Sequence, residues 1–402
     1  MHIRKLCEND FSEIRRLWSI CFDRASDTTD EEELQRIKND KTFLGQSYFN
    51  RYVAVDDNGN ITSAVRLVPY YASFDKNTVK VTGISGVASL PQYRSKGAIR
   101  ECFSKAFSEM YENGCAFSYL YPFSSAYYRK FGYGLACDWI NYEIKTHRML
   151  SCNTKGSYEL ISDDISGLKE VYEEMYKNFS MLAKRSDAEW AHYENKDYVK
   201  DNSYTYLYRD ENGVPKSFFT YKREDVGCES IMDMGSNVYF YDKEGFAGIL
   251  DFAVKLKGNF HILKMLVPDD ARIDTMIAEH DRTAITKSIQ NHGMARCINI
   301  EKVLQNAAFR GSGKAVIKIN DDMIPQNSGV WAIEFKDGVL SSINKTEEKP
   351  QAEMSIDIFS SMILGKFDFN DAEFISGLEI YTENQDLSKI FYKKKMAIYD
   401  RY

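Results

Sequence analysis

The chain lacks the patterns that would place it in several functional classes. Its eight cysteines include no C-x-x-C pair and no cysteine–histidine cluster, so no metal site or redox motif is expected. No apolar run approaches membrane-spanning length, and the charged N-terminus has no apolar signal segment. The net charge of −7, without a long Lys/Arg-rich run, argues against a nucleic-acid partner. We therefore expect a reduced, cytoplasmic protein that does not bind a membrane.

The length and the aromatic content predict several packed domains. A chain of 402 residues is long for one domain and suits two or three, and its 27 tyrosines and 24 phenylalanines supply ample core material. Polar stretches and the order of apolar segments divide it into residues 1–150, 151–302 and 303–402. In each part both strand-like alternation and helical spacing occur, which predicts a mixed α/β (α+β) fold class.

The stretch from Val81 to Gly134 carries most of the functional information. Apolar and small residues up to Leu90 predict a buried strand, which Pro91 ends because proline cannot donate to a ladder. After a short turn, apolar residues recur at steps of three and four and predict a helix over 98–113. The residues of that apolar face are Ile99, Cys102, Phe103, Ala106, Phe107 and Met110. A strand over 116–121, a short helix over 124–131 and a strand over 137–145 complete the first predicted unit.

The turn between this strand and helix has the composition of an anion site. Arg94 and Lys96 add positive charge, and Gly97 lets a ligand approach the backbone. The first turn of a helix also presents unpaired N–H groups and a partial positive charge. A simpler interpretation is that Arg94 and Lys96 are solvated charges at an ordinary strand–helix junction.

Residues 229–267 repeat the same order of strand, helix and strand, which indicates an internal duplication. The repeat has no basic glycine turn. Instead, Asp242 and Glu244 stand near the expected phosphate position, where they would repel an anion. The sequence therefore predicts one anion site per chain. Further on, Asp337-Gly338 between two apolar runs predicts a hairpin in the third domain.

Two motifs of the 81–134 stretch resemble those of the GNAT superfamily of N-acetyltransferases. Arg94-x-x-Gly97 is similar to the turn that cradles the coenzyme A pyrophosphate, although Ile99 stands where the family has Gly or Ala. Tyr128-x-x-Phe131-Gly132-Tyr133-Gly134 is similar to the tyrosine element that follows the next strand.

Over its whole length the chain resembles the enhanced intracellular survival (Eis) family of acetyltransferases. The segments 292–301 and 185–190, the duplication and the apolar last residues extend the likeness beyond the first domain. The resemblance implies tandem GNAT folds, the second of them degenerate, followed by an α+β domain like sterol carrier protein. It also implies acetyl-CoA as cosubstrate and a homo-oligomer, a hexamer in that family.

The resemblance assigns roles to individual residues. Strand residues would hydrogen-bond the pantetheine arm, the turn would wrap the pyrophosphate, and two residues would line the thiol end. These implied contacts are Val87, Ala88, Ser89, Arg94, Ser95, Lys96, Gly97, Ala98, Ile99, Arg100, Phe123 and Ser124. Tyr128 would be the general acid, with the adjacent Tyr127 as the alternative if the alignment slips by one residue. The carboxylate of Tyr402 would be the general base.

The resemblance also implies the reaction, which is transfer of an acetyl group to a primary amine of a cationic acceptor. An aminoglycoside, a polyamine or a lysine side chain would suit an acidic acceptor pocket, for which Asp23 and Asp27, with Trp18 and Phe22 as aromatic walls, are candidates. Arg401 would place a positive charge near such a cation. The alternative is a protein without catalytic activity that binds acetyl-CoA, or an apolar ligand in its third domain.

Overall fold

A computed structural model of the chain describes residues 1–23, 25, 27–194, 196–277, 283–382 and 385–400. These residues form two compact units. One contains 1–136, 293–394 and 400, and the other contains 137–292 and 395–399. In the described part of the chain no helix is both long enough and apolar enough to cross a bilayer.

The N-terminal part of the first unit is a sheet with helices on both faces. Its strands are β1 (His2–Lys5), β2 (Arg51–Val55), β3 (Ile61–Phe74), β4 (Asn77–Ser89), β5 (Phe117–Leu120) and β6 (Gly134–Leu135). Its helices are α1 (Phe11–Phe22), α2 (Asp30–Asn39), α3 (Phe43–Gln46), α4 (Ala98–Glu112) and α5 (Ser125–Arg129). The predicted apolar face of α4 is confirmed, since all six of its residues are buried in the core. Ile14 and Leu17 of α1 pack in a separate cluster with residues of β2, β3 and β4.

The second unit is built around its own mixed sheet. Its strands are β7 (Asp138–Lys145), β8 (Ser157–Leu160), β9 (Tyr204–Arg209), β10 (Pro215–Val226), β11 (Glu229–Asp233), β12 (Val238–Phe240), β13 (Ile262–Pro268) and β14 (Ile285–Asn291). Its helices are α6 (Ser166–Asn178), α7 (Asp187–Trp190), α8 (Tyr198–Asp201) and α9 (Lys243–Lys255). The strand order is β14-β7-β13-β11-β10-β9-β8, with β12 paired to β10. The predicted repeat is present, because β11 and β13 run parallel and α9 lies between them in sequence.

The chain then returns to the first unit. Its remaining strands are β15 (Met294–Cys297), β16 (Gly313–Asn320), β17 (Gly329–Lys336), β18 (Val339–Lys345), β19 (Ala352–Ser355) and β20 (Leu378–Ile380). Its remaining helices are α10 (Ile300–Asn306), α11 (Ile356–Ile363) and α12 (Asp386–Ile390). A third sheet has the order β18-β17-β16-β19-β20. The predicted hairpin is confirmed: β17 and β18 pair across Asp337-Gly338, and both turn residues have positive φ.

Two strands lie in a different sheet from the one that their sequence position suggests. The strand predicted over 137–145 as the end of the first domain is β7, which pairs with β13 and β14 in the second unit. Strand β15 follows the second unit in sequence but lies between β5 and β6 of the first sheet. The pattern of a strand predicts that the segment joins a sheet. It does not predict which strand becomes its neighbour, because that depends on which sheet edge is open in the tertiary structure.

A buried ion pair fixes β15 in the first unit. Arg296 and Asp321 are both fully buried, and Arg296 Nη2 donates to the two Asp321 carboxylate oxygens at 2.6 and 2.7 Å. Arg296 Nη1 donates to the carbonyl oxygen of Phe131 at 2.6 Å. Backbone and amide groups that follow Asp321 saturate the rest of its carboxylate. The pair therefore ties the N-terminal and C-terminal parts of the first unit together.

The glycines of the Phe131–Gly134 motif have a packing role. Gly132 has φ +76°, and a Cβ there would overlap the Arg296 guanidinium. A Cβ at Gly134 would overlap the Asp357 carbonyl oxygen and the Ser361 hydroxyl on α11. Only glycine allows this close approach of the C-terminal part of the unit.

Replacing Arg296 by Met leaves the Asp321 carboxylate buried without its cation. We expect the free energy of unfolding of the first unit to fall by about 3–5 kcal/mol, measured by urea denaturation followed by intrinsic fluorescence. The control is Lys38→Met, which removes an ion pair with Glu8 whose side chains are 46% and 62% exposed. An exposed pair contributes little, so the control midpoint should not move. Equal urea unfolding midpoints for the two variants would contradict the stabilising role of the buried Arg296–Asp321 pair.

Candidate active site

The edge of strand β4 is open where β4 and β5 separate. The parallel ladder between them ends at the pair Gly83 and Tyr119, while β4 continues to Ser89. A register shift on the β3 side and the positive φ of Gly86, +54°, mark a bulge in β4 at this point. The backbone groups of Val87, Ala88 and Ser89 on the side of β5 therefore have no ladder partner. An extended amide-containing ligand can pair with such an edge as an added strand.

The turn after β4 presents an uncapped helix N-terminus. Ser95 and Gly97 have φ of +62° and +82°, and Gly97 is the residue before the first turn of α4. Among the residues that the structure describes, no side chain accepts a hydrogen bond from the first turn of α4. Its N–H groups and the positive end of the 15-residue helix dipole are therefore available to an anion.

The open edge and the turn border one cavity of about 870 Å³. We call it the coenzyme cavity, because the sequence predicts coenzyme contacts at this place. Every coenzyme contact predicted from the sequence lines it except Ser124. Ser124 instead caps α5, where its hydroxyl accepts from Tyr127 N–H at 3.3 Å. Six further lining residues are not among the coenzyme contacts predicted from the sequence: Cys21, Phe22, Tyr93, Tyr127, Lys130 and Phe131. Lys130 and Phe131 lie within the tyrosine motif, which could have identified them. Cys21 belongs to α1, which is far away in sequence.

The coenzyme cavity is electropositive. Arg94, Lys96, Arg100 and Lys130 line it, and no Asp or Glu is among its described lining residues. Lys96 also lies over the Tyr93 ring, 4.9 Å from its centroid. Four cations around an uncapped helix N-terminus suit a ligand with several phosphate groups.

Tyr127 and Tyr128 differ in their placement on α5. Tyr127 lines the coenzyme cavity and is half-buried. Tyr128 is 4% exposed and lies one layer behind the wall, with its ring centroid 5.3 Å from that of the lining residue Phe123. Its hydroxyl has no hydrogen-bond partner among the described residues. Burial raises the pKa of Tyr128 well above its ordinary value and also raises the pKa of Tyr127, so both phenols stay protonated at neutral pH.

In the second unit the corresponding helix is α9, and its N-terminus is not available to an anion. The Asp242 side chain caps α9 by accepting from Gly245 N–H at 2.8 Å, and it pairs with Lys216 at 3.0 Å. A carboxylate therefore occupies the position that a phosphate would take at the N-terminus of this helix.

The other residues predicted for the site lie in different places. Trp18 lines a second cavity, beside α1, and Phe22 lines the coenzyme cavity, whereas Asp23 and Asp27 line neither. The described histidines also line neither cavity. Tyr402 and Arg401 lie outside the described residues. The described part of the chain contains no group of three or more His, Cys, Asp or Glu arranged to hold a metal ion.

Replacing Gly97 by Ala tests the anion turn. At φ +82° a Cβ would meet no atom within 4 Å, so the change adds backbone strain of roughly 1–2 kcal/mol without a clash. We expect the strained turn to lose about tenfold in acetyl-CoA affinity, measured by isothermal titration. The control is Gly213→Ala, since Gly213 has φ +80°, equally open surroundings and a place in the second unit. Equal affinity loss in both variants would show that strain alone is responsible.

Comparison with protein families identifies both parts of the first unit. The acetyltransferase (GNAT) domain family matches residues 2–136. The sterol carrier protein domain family matches residues 300–399. A comparison with curated proteins finds no match.

Solved structures share the fold over the whole chain. A probable N-acyltransferase from Enterococcus faecalis has a TM-score of 0.81 at 18% identity, covering 100% of this chain and 99% of its own. A GCN5-related N-acetyltransferase from Anabaena variabilis has 0.80 at 18% identity, covering 98% of both chains. Eis1 from Mycobacterium abscessus has 0.80 at 12% identity, covering 100% of both chains. At these identities the likeness establishes the fold, which is that of tandem GNAT domains followed by a sterol-carrier-protein-like domain.

Proposed function

We propose that this chain, which belongs to the GNAT N-acetyltransferases with a C-terminal sterol carrier protein domain, transfers the acetyl group of acetyl-CoA to a primary amine. One observation carries the proposal: the open edge of β4 leads directly to the uncapped N-terminus of α4 in one electropositive cavity. This is the arrangement that an amide-containing arm ending in a pyrophosphate requires.

The coenzyme contacts follow from that arrangement. The pantetheine amides pair with the backbone of Val87, Ala88 and Ser89, and the pyrophosphate lies at the first turn of α4. Arg94, Ser95, Lys96 and Gly97 surround the pyrophosphate, together with the N–H groups of Ala98, Ile99 and Arg100. Phe123 and the neighbouring Ser124 lie towards the thioester.

The chemical step is a direct transfer. The amine nitrogen attacks the thioester carbonyl carbon, a C–N bond forms, and the carbonyl oxygen becomes an oxyanion that N–H groups of the open β4 edge stabilise. The C–S bond then breaks, and the thiolate receives a proton from Tyr128. The amine loses its own proton to a base. The carboxylate of Tyr402 stays a prediction for that base.

Tyr128→Phe and Tyr127→Phe form a matched pair that tests the acid. Loss of a general acid lowers kcat by about 10²–10⁴-fold, so we expect that loss in Tyr128→Phe and a much smaller one in Tyr127→Phe. The measurement of kcat follows thiol release from acetyl-CoA, with aminoglycosides, polyamines, lysine peptides and amino acids as acceptors. The thermal shift with acetyl-CoA should persist in both variants. The reverse order of kcat values would assign the acid role to Tyr127.

The same assay separates catalysis from binding alone. If acetyl-CoA stabilises the protein but no amine causes thiol release, the result would support a protein that binds acetyl-CoA without catalysis. Acetyl-CoA that gives no thermal shift would refute the coenzyme site.

A further inference from the structure

The second cavity of the first unit lies beside α1 and encloses about 650 Å³. Helices α1, α2 and α3 form its walls, and Trp18, Tyr48 and Arg66 are among its lining residues. We call it the α1–α3 cavity. Its size suits a small metabolite or a short peptide end.

Two buried arginines stand side by side at this cavity. Arg51 on β2 and Arg66 on β3 are register partners, so both side chains leave the sheet on the same face. Arg51 is fully buried and Arg66 is 5% exposed. The Arg51 guanidinium lies 4.5 Å from the Trp18 ring centroid and 4.6 Å from that of Tyr48, both of which line the cavity. Arg66 lines the cavity directly, and Arg51 lies one layer behind.

Within the described structure neither of these two charges has a salt-bridge partner. Arg51 donates from Nε to the Tyr48 carbonyl oxygen at 2.7 Å, but neither of its Nη atoms has a hydrogen-bond partner among the described residues. Arg66 donates from Nη2 to the Leu44 carbonyl oxygen and the Ser47 hydroxyl, and its Nε has no partner. Burial lowers the pKa of Arg51 to about 9 and of Arg66 to about 10, so both stay charged at neutral pH.

Of the three carboxylates that line the cavity, Asp30 and Glu33 are already paired with other cations. Asp30 pairs with Arg15 at 2.6 Å, and Glu33 pairs with Arg36 at 2.5 Å. Asp40 accepts from Thr42 N–H at 2.9 Å and from its hydroxyl at 2.6 Å. Asp40 attracts Arg66 without forming an ion pair with it in the described structure. A buried guanidinium requires a partner, and here a ligand is the group that can supply it.

The α1–α3 cavity adjoins the reactive end of the coenzyme cavity. The Trp18 ring packs against Gly86, the residue before the open edge that begins at Val87. One helical turn further along α1, Phe22 lines the coenzyme cavity, and the Trp18 and Phe22 ring centroids are 5.7 Å apart. A ligand held by Arg66 can therefore direct another of its groups towards the thioester.

We propose that the α1–α3 cavity binds the acceptor through an anionic oxygen group, so that the substrate is a primary amine that also carries a carboxylate or a phosphate. Arg66 contacts the anion, and the adjacent charge of Arg51 adds to the field that holds it. The proposal rests on the proposed acetyl transfer. It replaces the expectation of a purely cationic acceptor, which the family resemblance implied.

Matched acceptor pairs test the anion requirement on the unmodified protein. The pairs are L-leucine with L-leucinamide, β-alanine with β-alaninamide, and phosphoethanolamine with ethanolamine; spermidine represents cationic amines. We expect the anionic member of at least one carboxylate or phosphate pair to have a kcat/KM about tenfold higher or more, measured by thiol release. The first two pairs report on a carboxylate and the third on a phosphate. Equal or greater use of the amides, ethanolamine and spermidine overturns the proposal.

Arg66→Gln tests the residue, with Arg223→Gln as control. Arg223 lines neither cavity, and its side chain is 44% exposed and pairs with Asp225. We expect Arg66→Gln to raise KM for the preferred anionic acceptor by about 10–100-fold and to change kcat/KM for its neutral partner less than about threefold. The Arg223→Gln values should match the unmodified protein. Arg66→Lys, which keeps the charge, should recover part of the loss, and equal losses with both acceptors overturn the proposal.

A binding measurement separates the two hypotheses. If no amine releases thiol, the proposed acetyl transfer fails, and stabilisation of the protein by L-leucine or phosphoethanolamine in thermal melts still tests the anion site. Stabilisation that Arg66→Gln abolishes supports the site. The absence of stabilisation by either anion, together with no preference in the acceptor pairs, overturns it.

Discussion

The buried ion pair of Arg296 and Asp321 is the interaction on which the first unit depends. It holds a strand from late in the chain between β5 and β6 of the first sheet, and it binds the carbonyl oxygen of Phe131, a residue that lines the coenzyme cavity. Two charges buried together are stable only when their remaining hydrogen bonds are satisfied, and the groups after Asp321 largely satisfy its carboxylate. Gly132 and Gly134 then become necessary, because side chains there would overlap the Arg296 guanidinium and α11.

Electrostatics at a helix N-terminus distinguishes the two copies of the GNAT fold. In the first copy α4 begins after a glycine with no capping side chain, among Arg94, Lys96 and Arg100. In the second copy Asp242 caps α9 and supplies a negative charge at the equivalent place. The backbone geometry is similar, but the sign of the local charge differs. The α1–α3 cavity adds a further positive site in the first copy, formed by arginines that project from neighbouring strands.

Local pattern predicted much of the fold and of the site. The apolar face of α4, the 337–338 hairpin and the strand–turn–helix order around Arg94 and Gly97 all follow from spacing and turn chemistry, and all are present. Met354, Ile356 and Ile358 alternate as in a strand, yet β19 ends at Ser355 and helix α11 begins at Ile356. Short alternating runs do not distinguish a strand from the first turn of a buried helix.

The sequence by itself determined the elements, the uncapped basic turn and the charge difference between the two copies. These depend on neighbours within a few residues, where periodicity, glycine and capping chemistry act. Only the tertiary structure decided that β15 completes the first sheet and β7 the second, and that Cys21 and Phe22 reach the coenzyme cavity. It also decided that Arg51, which lies over the Trp18 ring, and Arg66 stand side by side with no salt-bridge partner among the described residues. Strand register and burial create those contacts between residues far apart in sequence, and no local pattern encodes them.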